Sequence, residues 1–298
     1  MLVELDPATD RATATALADR LAVHEDVLAW PIRLRGRSFV VVSGDESLVP
    51  EVDSASVIGR HGTQKPGYWL VAKDNGVAPE QVRIGSSVVG GDGLWCAAGP
   101  CALEDVGDAK ETASAVAGQG ADAVRMGLFK PRSSPYHFLG KQRAGLAALA
   151  EVRASCGRPV VTEVLDPRDV DAVAEVADCL QVDTRNMTNR ALLAELGRID
   201  RPVLLMRGLR STVTEWLRAA EFLFAHGNPD VVLCARGIVS FDDSLAFQPD
   251  FGAISELRRR TELPVVFDPS HSTGRADAVG PAALAAVAFG ADGLLVEA

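Results

Sequence analysis

After about residue 90, short apolar segments alternate with longer amphipathic segments along the chain. Within each apolar segment, polar and apolar residues do not alternate one by one, which is typical of strands buried on both faces. These segments are 94–101, 121–129, 158–165, 179–184, 201–208, 230–237, 263–270 and 291–297. The segments between them, such as 145–157 and 212–228, have helical spacing and end at Gly or Asn, which are favourable C-terminal caps.

Eight strands with helices between them predict an α/β fold, a (β/α)₈ TIM barrel over residues 91–298. Such a barrel typically needs ~250 residues. A doubly wound open sheet is the alternative, but the sequence has neither a G-x-G-x-x-G motif nor a P-loop to support it. The last predicted strand ends at the last residues of the sequence. We therefore expect the closing eighth helix to be absent from this chain, either because the chain is truncated or because another surface covers the apolar flank.

Residues 1–70 have a different pattern. Segments 1–6, 26–37 and 38–45 are predicted strands, and 8–25 is a predicted helix. This order predicts a small α+β domain of the ferredoxin-like type. The Gly, Pro and Asn residues that follow indicate a linker. We therefore divide the chain into a small domain (1–70), a linker (71–90) and the barrel (91–298).

Composition narrows the classes of function. A net charge of −10 argues against nucleic acid as a partner, because binding a phosphate backbone needs a basic face. The sequence has no apolar run of about 18 residues and no basic N-terminal segment before an apolar one, so we expect neither a membrane span nor a signal peptide. The five cysteines, an odd number in apolar segments, indicate reduced thiols and a cytoplasmic location.

The predicted barrel indicates where the chemistry lies, since active sites of barrels lie at the C-terminal ends of the strands. Basic residues recur there, namely Arg125, Lys130, Arg132, Arg185, Arg207 and Arg236. A group of such cations is suited to recognising phosphate or carboxylate. Each arginine alone is equally well explained by a surface ion pair. Their joint position at strand ends favours an anion site.

A second group of residues has the chemistry of metal ligands. Cys101, His271 and Glu297 lie at the ends of strands one, seven and eight, which are neighbours in a closed barrel. Thiolate, imidazole and carboxylate suit Zn²⁺, Fe²⁺ or Mn²⁺. The alternatives are that Cys101 is a small buried apolar residue and that His271 is a hydrogen-bonded loop residue.

Six segments together carry a resemblance to a known family. GPCALE, VRMGLFKPRSSPYHFLG, VVTEV, RNMTN, LCARGI and DPSHSTGR resemble 3-deoxy-D-arabino-heptulosonate 7-phosphate (DAHP) synthases of the short type with an N-terminal ferredoxin-like domain. Lys130-Pro131-Arg132 favours this family over the related octulosonate 8-phosphate synthases, which have a KAN-like motif there. The resemblance implies a metal-binding transferase that condenses phosphoenolpyruvate with erythrose 4-phosphate, the first step of the shikimate pathway and of aromatic amino acid biosynthesis.

The resemblance also implies roles for individual residues. Arg125 and Lys130 would hold the carboxylate side of phosphoenolpyruvate, and Arg185 and Arg236 its phosphate. The phosphate of the sugar would be bound by Arg132, Ser133 and Ser134. A divalent metal (Mn²⁺, Fe²⁺, Co²⁺ or Zn²⁺) would be bound by Cys101, His271 and Glu297. Lys130 and His271 are the catalytic candidates, with Lys130 as proton donor.

The family comparison further implies a homo-oligomer and an N-terminal domain that binds an aromatic amino acid as effector. Three features depart from the family pattern. The KRG motif after strand five is Met206-Arg207-Gly208, so that Arg207 becomes the candidate to replace the missing lysine. The ERG motif after strand six is Ala235-Arg236-Gly237. The family's aspartate ligand follows the position of Glu297 beyond the last residue here, so Asp268 or water would complete the metal site.

These departures leave two alternatives open beside the synthase. One is a relative that condenses phosphoenolpyruvate or another enol acid with a different aldehyde. The other is a non-catalytic, anion-binding or regulatory relative.

Overall fold

Two bodies of secondary structure make up the fold, a small antiparallel sheet and a closed parallel barrel. The computed structural model of the chain describes residues 1–51, 54–63, 65–132, 134 and 136–298. None of the helices in these residues is long and apolar enough to cross a membrane.

The N-terminal sheet contains four strands in the order β2-β3-β1-β4, with antiparallel neighbours. Its elements are β1 (Leu2–Leu5), α1 (Arg11–Leu21), β2 (Val27–Leu34), β3 (Arg37–Gly44) and β4 (Val57–His61). Asp10 caps α1 by accepting a hydrogen bond from the backbone N–H of Thr13. Helix α1 then buries one face, including Leu17 and Leu21, against Val3 and Val40 of the sheet.

The segment that we expected to be a linker, residues 71–90, contains a short antiparallel hairpin. Its strands are β5 (Val82–Ile84) and β6 (Ser87–Val89). Val82, Ile84 and Val89 are fully buried against inward-facing barrel residues such as Trp95 and Val161. The hairpin therefore forms the apolar floor of the barrel at the N-terminal ends of its strands.

The predicted eight-stranded parallel barrel is confirmed. Its strands are β7 (Trp95–Gly99), β8 (Ala123–Arg125), β9 (Val160–Glu163), β10 (Cys179–Val182), β11 (Val203–Met206), β12 (Val231–Ala235), β13 (Val265–Phe267) and β14 (Gly293–Glu297). Pairing of β14 with β7, from Gly293 opposite Trp95 to Glu297 opposite Gly99, closes the barrel. In the described residues no helix follows β14, and the sequence ends at Ala298.

Helices lie outside this barrel in the order that the pattern predicts. They are α2 (Val106–Gly118), α3 (Leu146–Cys156), α4 (Val170–Val176), α5 (Arg190–Leu196), α6 (Val213–His226), α7 (Gly252–Arg260), α8 (Pro269–Thr273) and α9 (Ala276–Ala288). The residues at the two ends of helix α6 explain where this helix begins and ends. Thr212 and Glu215 form a capping box at its start, and Gly227, with φ of 116°, ends it in the left-handed conformation.

Side chains alternate along each strand between the barrel interior and the layer of helices. Leu204 and Val232 face the interior. Their neighbours Leu205 and Leu233 pack in the layer that contains Trp216 of α6. This alternation decides which residues at the ends of the strands enter the site.

Helix α6 also holds the N-terminal sheet. The buried carboxylate of Glu221 accepts hydrogen bonds from the backbone N–H groups of Trp69, Leu70 and Val71 at 2.9, 2.9 and 3.0 Å. Trp30 of β2 donates its indole N–H to the carbonyl of Ala225 at 2.6 Å. The two bodies are therefore joined by specific polar contacts along one barrel helix.

Candidate active site

The inward positions become polar at the C-terminal ends of the strands. Ala123 is followed two residues later by Arg125, Val161 by Glu163 and Cys179 by Gln181. These side chains surround a cavity of about 200 Å³. Its lining also includes Cys101, Lys130, Pro131, Arg132, Asp183, Thr184, Arg185, Met206, Leu209, Arg236, Phe247 and His271. The strand alternation fills the barrel interior near its floor with apolar side chains. At the C-terminal ends of the strands, the same alternation places charged side chains at the mouth.

Cys101, His271 and Glu297 are brought together at one side of this cavity. Their ligand atoms all lie within 4.8 Å of one another. Nε2 of His271 lies 3.7 Å from Sγ of Cys101 and 3.0 Å from Oε2 of Glu297. This donor set fits a divalent metal ion, because a thiolate, an imidazole nitrogen and a carboxylate oxygen meet at one point.

Asp268 orients this group. It is fully buried, its Oδ2 lies 2.8 Å from Nδ1 of His271, and its Oδ1 accepts the backbone N–H of His271 at 2.9 Å. Because both oxygens are engaged, Asp268 serves as the partner of the histidine and is not brought to the ligand group as a fourth member. A carboxylate on one ring nitrogen, with the other facing the metal position, is the usual arrangement of a metal-binding histidine.

The electrostatics of the group favour the metal-binding form of the thiol. Burial alone raises the pKa of Cys101, but the hydrogen bond with His271 and the charge of Lys130 lower it to about 6. Burial lowers the pKa of His271, but hydrogen bonds with Asp268 and Cys101 raise it to about 11, so a metal ion would have to displace a proton from the imidazole. The thiolate is the form that coordinates metals.

Three cations line the same cavity. Nζ of Lys130 donates to the carbonyl of Cys101 at 2.8 Å and lies 3.3 Å from Oε2 of Glu163. Nη1 of Arg236 lies 3.2 Å from Oδ1 of Asp183. Nη1 of Arg125 lies 4.0 Å from Oε2 of Glu297. These three cations, predicted from their positions at strand ends, are therefore brought together.

Three buried polar atoms of this group have no hydrogen-bond partner among the described residues. They are Nη1 of Arg125, Nε of Arg236 and Oε1 of Glu163. A buried polar group left unpaired costs about 1–3 kcal/mol, and more when it is charged. Two unpaired guanidinium nitrogens at one cavity therefore indicate an anionic ligand.

The loop after β8 contributes exposed groups. Nη1 of Arg185 donates to the carbonyl of Pro131 at 2.6 Å, and Nε of Arg132 to the carbonyl of Phe138 at 3.3 Å. Oγ of Ser134 accepts the backbone N–H of Tyr136 at 3.3 Å. Arg132 lines both this cavity and an adjoining one beside the Cys101 group. Ser133, the second hydroxyl assigned to the sugar phosphate, lies outside the described residues.

Arg207 is a predicted site residue that the structure does not bring to the group. Its Nη1 donates to Oδ2 of Asp250 at 2.6 Å and its Nε to the carbonyl of Ser211 at 2.9 Å. The alternation of the strand explains this, because Met206 faces inward and the next residue faces outward. Met206 is 1% exposed and lines the cavity, opposite Cys234 of the neighbouring strand. Arg207 therefore does not replace the lysine that is missing at position 206.

No role was predicted from the sequence for Glu163, Gln181 or Asp183, although all three line the cavity. Glu163 is 3% exposed. Burial raises the pKa of its carboxyl to about 7, and the positive charge of Lys130 opposes this rise. The signal that identifies Glu163 and Gln181 is their spacing of two residues from an inward apolar residue. Asp183 continues the same inward series of β10.

Comparison with known proteins agrees with this arrangement. Residues 74–298 match the DAHP synthetase I family. A phospho-2-dehydro-3-deoxyheptonate aldolase of Thermotoga maritima is 39% identical over 230 residues, which are 77% of this chain and 68% of that protein. A 2-dehydro-3-deoxyphosphooctonate aldolase of Magnetococcus marinus is 32% identical over 239 residues, 74% of this chain and 81% of that protein.

Solved structures extend the likeness to the fold. A crystal structure of phospho-2-dehydro-3-deoxyheptonate aldolase (DAHP synthase) from Thermotoga maritima superposes with a TM-score of 0.75 at 32% identity, over 99% of this chain and 87% of that one. A truncated form of the Thermotoga enzyme has a TM-score of 0.70 at 36% identity, over 76% of this chain and 83% of that one. The chain therefore belongs to the DAHP synthetase I family.

Proposed function

We propose that the cavity at the mouth of the barrel, with the Cys101–His271–Glu297 group beside it, is the active site of this protein. The protein is an enzyme, a transferase that condenses phosphoenolpyruvate with erythrose 4-phosphate. The observation that carries the site assignment is the pair of buried, unpaired guanidinium nitrogens of Arg125 and Arg236. A trianionic enol phosphate supplies the acceptors that these donors lack.

Binding of phosphoenolpyruvate would divide between the two sides of the cavity. Arg125 and Lys130, next to the Cys101 group, would hold the carboxylate. Arg236, held by Asp183 with its Nε free, would hold the phosphate together with Arg185. The phosphate of erythrose 4-phosphate would bind at the exposed loop, with Arg132, Ser133 and Ser134. This places the aldehyde of the sugar between the loop and the Cys101 group.

A divalent metal ion, held by Cys101, His271 and Glu297, would polarise the aldehyde carbonyl. The protein residues would then position the reactants and move protons. C3 of phosphoenolpyruvate attacks the aldehyde carbon, and Lys130 donates a proton to the aldehyde oxygen. Water adds at C2, and the bond from C2 to the phosphate oxygen breaks. His271 acts as a ligand whose ring is held by Asp268.

Phosphate release in the presence of both substrates tests this proposal. The parent, supplied with Mn²⁺ or Zn²⁺, should release phosphate from phosphoenolpyruvate only when erythrose 4-phosphate is present. Arg236→Ala should lower the rate at least tenfold, since a hydrogen bond to a charged group contributes ~1.5–3 kcal/mol. Arg198→Ala, which removes an exposed arginine paired with Glu195, is the matched control. A parent without release, or an Arg236→Ala variant equal to the control, would contradict the proposal.

We further propose that the N-terminal unit is a ferredoxin-like regulatory domain. The chain would divide into a small domain (1–70), a connecting segment (71–90) that includes the barrel floor, and the barrel (91–298). The strand order β2-β3-β1-β4 with one packed helix supports this assignment. The family resemblance supports an aromatic amino acid as effector. Calorimetry with phenylalanine, tyrosine and tryptophan tests it, and no heat with any of the three would contradict it.

A homo-oligomer is also proposed. Leu284, Val287 and Phe289, at the end of α9, are 75, 40 and 44% exposed. Apolar patches of this kind on a protein surface commonly mark interfaces. Light scattering should show a species larger than the monomer, whereas a stable monomer that binds no apolar dye would contradict this. The proposed location is cytoplasmic, which the five free cysteines support.

A further inference from the structure

Asp183 is a buried carboxylate beside an arginine that the family resemblance assigns to the phosphate of phosphoenolpyruvate. It follows strand β10, lines the cavity and is 7% exposed. Its Oδ1 lies 3.2 Å from Nη1 of Arg236. A negative charge at this place opposes the binding of an anion, because like charges repel strongly where water is scarce. The carboxylate therefore needs a role that outweighs this repulsion.

The contact with Asp183 leaves one edge of the Arg236 guanidinium group unpaired. Nε of Arg236 is buried and has no hydrogen-bond partner among the described residues, whereas Nη1 contacts the carboxylate. In a guanidinium group, the N–H of Nε is parallel to one N–H of Nη2, and this pair can bind two oxygens of a phosphate. Cζ of Arg236 also lies over the ring of Phe247, 5.5 Å from its centroid. Asp183 and Phe247 together hold the group with its bidentate edge unpaired.

The other oxygen of Asp183 is anchored by the turn after β10. Oδ2 accepts the backbone N–H of Arg185 at 3.3 Å and the hydroxyl of Thr184 at 3.4 Å. The backbone N–H of Asn186 donates to the carbonyl of Asp183 at 2.8 Å and closes this turn. The carboxylate is therefore fixed by contacts that do not involve Arg236, so it can determine where the guanidinium group lies.

The pair of Asp183 and Arg236 crosses strand β11, which lies between β10 and β12. Val182 pairs with Leu205 across β10 and β11, so the next residues, Asp183 and Met206, are neighbours. The thioether of Met206 has no charge and no proton to donate. Because this chain has methionine where the family motif has lysine, position 206 offers Asp183 no cation in place of Arg236.

We propose that Asp183 is a positioning residue, which fixes Arg236 for bidentate binding of the phosphate of phosphoenolpyruvate. This assignment rests on the proposed function and adds a residue to its binding site. A guanidinium group that is already fixed loses less conformational entropy when it binds a ligand than a mobile one does. The charge of Asp183 is compensated by the cation that it contacts, so the repulsion of the substrate is reduced.

The first test is Asp183→Ala. Calorimetry should show that the dissociation constant of phosphoenolpyruvate rises about tenfold or more, since a hydrogen bond to a charged group contributes roughly that factor. With saturating phosphoenolpyruvate, kcat should stay within about threefold of the parent. An interaction that is the same in the bound substrate and in the transition state affects KM and leaves kcat unchanged.

Asp178 provides a matched control at the other end of the same strand. It precedes β10, is also 7% exposed, and its Oδ1 lies 2.6 Å from Nη2 of Arg153. Asp178→Ala therefore removes a buried, paired carboxylate, as Asp183→Ala does. A purely structural effect would lower the free energy of unfolding in both variants, and denaturant titration measures it. Only Asp183→Ala should weaken the binding of phosphoenolpyruvate.

A double-mutant cycle with Arg236→Ala tests whether Asp183 acts through Arg236. In the Arg236→Ala background, Asp183→Ala should not weaken binding further, because the group that it positions is absent. If Asp183→Ala fails to fold, Asp183→Asn replaces it in both backgrounds. The amide has no charge and one acceptor oxygen, so the dissociation constant should rise by at least about threefold relative to Asp178→Asn.

Three results would overturn the assignment. Tighter binding in Asp183→Ala than in the parent would mean that the carboxylate competes with the substrate for Arg236. Binding equal to that of Asp178→Ala would leave Asp183 without a role in the site. Weakening by the same factor with and without Arg236 would mean that Asp183 acts independently of it. A parent that does not bind phosphoenolpyruvate contradicts the proposed function and this assignment with it, and is recognised before any substitution.

Discussion

The two ends of the barrel interior use the same strand alternation for opposite purposes. At the N-terminal end, Val82, Ile84 and Val89 of the hairpin pack against inward apolar residues and fill the interior. At the C-terminal end, the inward positions carry Arg125, Glu163 and Gln181 around a cavity. Apolar packing that stabilises the fold therefore fills the floor end of the interior. Unpaired polar groups are placed at the mouth, where binding of a ligand compensates their cost.

The largest effect is expected from replacing Cys101, the proposed metal ligand at the mouth. Cys101→Ser should abolish most turnover, by about a thousandfold or more, because polarising a carbonyl contributes several kcal/mol and each ~1.4 kcal/mol is tenfold. Metal analysis of the purified protein should show lower divalent metal content than in the parent. Equal metal content in the two proteins would remove Cys101 from the ligands.

The next largest effect is expected at the floor and on a different property. Ile84→Ala removes a fully buried side chain and should lower the free energy of unfolding by about 2–5 kcal/mol. Val23→Ala, at a side chain that is 73% exposed, is the matched control. Denaturant titration measures both. If Ile84→Ala weakens binding of phosphoenolpyruvate by a free energy similar to the loss in unfolding free energy, the two ends of the barrel interior are not independent.

A substitution at the mouth tests the missing lysine. Met206→Lys places an ammonium group in the cavity and should tighten binding of phosphoenolpyruvate about tenfold to a hundredfold, since a charged hydrogen bond contributes ~1.5–3 kcal/mol. Arg207→Ala should leave binding nearly unchanged, because Arg207 is bound to Asp250 and Ser211 outside the cavity. Calorimetry on both variants decides. Loss of binding in Arg207→Ala with no gain in Met206→Lys would reverse the account of these two positions.

The smallest effect is a dependence on pH. Burial raises the pKa of Glu163 to about 7, and Lys130 and Arg125 oppose this while Asp183 adds to it. Because the ionised form of Glu163 pairs with the ammonium group of Lys130, kcat/KM should increase as pH rises through about 7, and it should fall below that pH. This increase of kcat/KM with pH should be absent in Glu163→Gln. If kcat/KM of that variant still increases with pH through about 7, the group that titrates is not Glu163.

Much of the barrel was predictable from the sequence because its strands are buried on both faces and its helices carry clear caps. The segments 201–208 and 230–237, for example, contain β11 and β12. The hairpin at Val82–Val89 was not predicted, since two strands of three residues have no periodicity to recognise. Their burial depends on barrel residues distant in the sequence.

The site was predicted less completely than the fold. Position at a strand end identified Arg125, Lys130 and Arg236, since every such end meets at the mouth. It also suggested Arg207, because position alone does not specify whether a side chain faces inward. The two-residue alternation from Leu204 through Met206 gives that direction. The dual contact of Asp268 with His271 depends on the turn into α8, which the sequence pattern does not specify.

The most direct test of the account is calorimetric titration of phosphoenolpyruvate into the parent, Arg236→Ala and Arg198→Ala. The parent and Arg198→Ala should bind phosphoenolpyruvate equally tightly. Arg236→Ala should bind at least tenfold more weakly, because Arg236 presents a buried, unpaired nitrogen to the cavity. A parent that does not bind phosphoenolpyruvate, or an Arg236→Ala variant that binds it as tightly as Arg198→Ala, would contradict the claim that this cavity is the anion site.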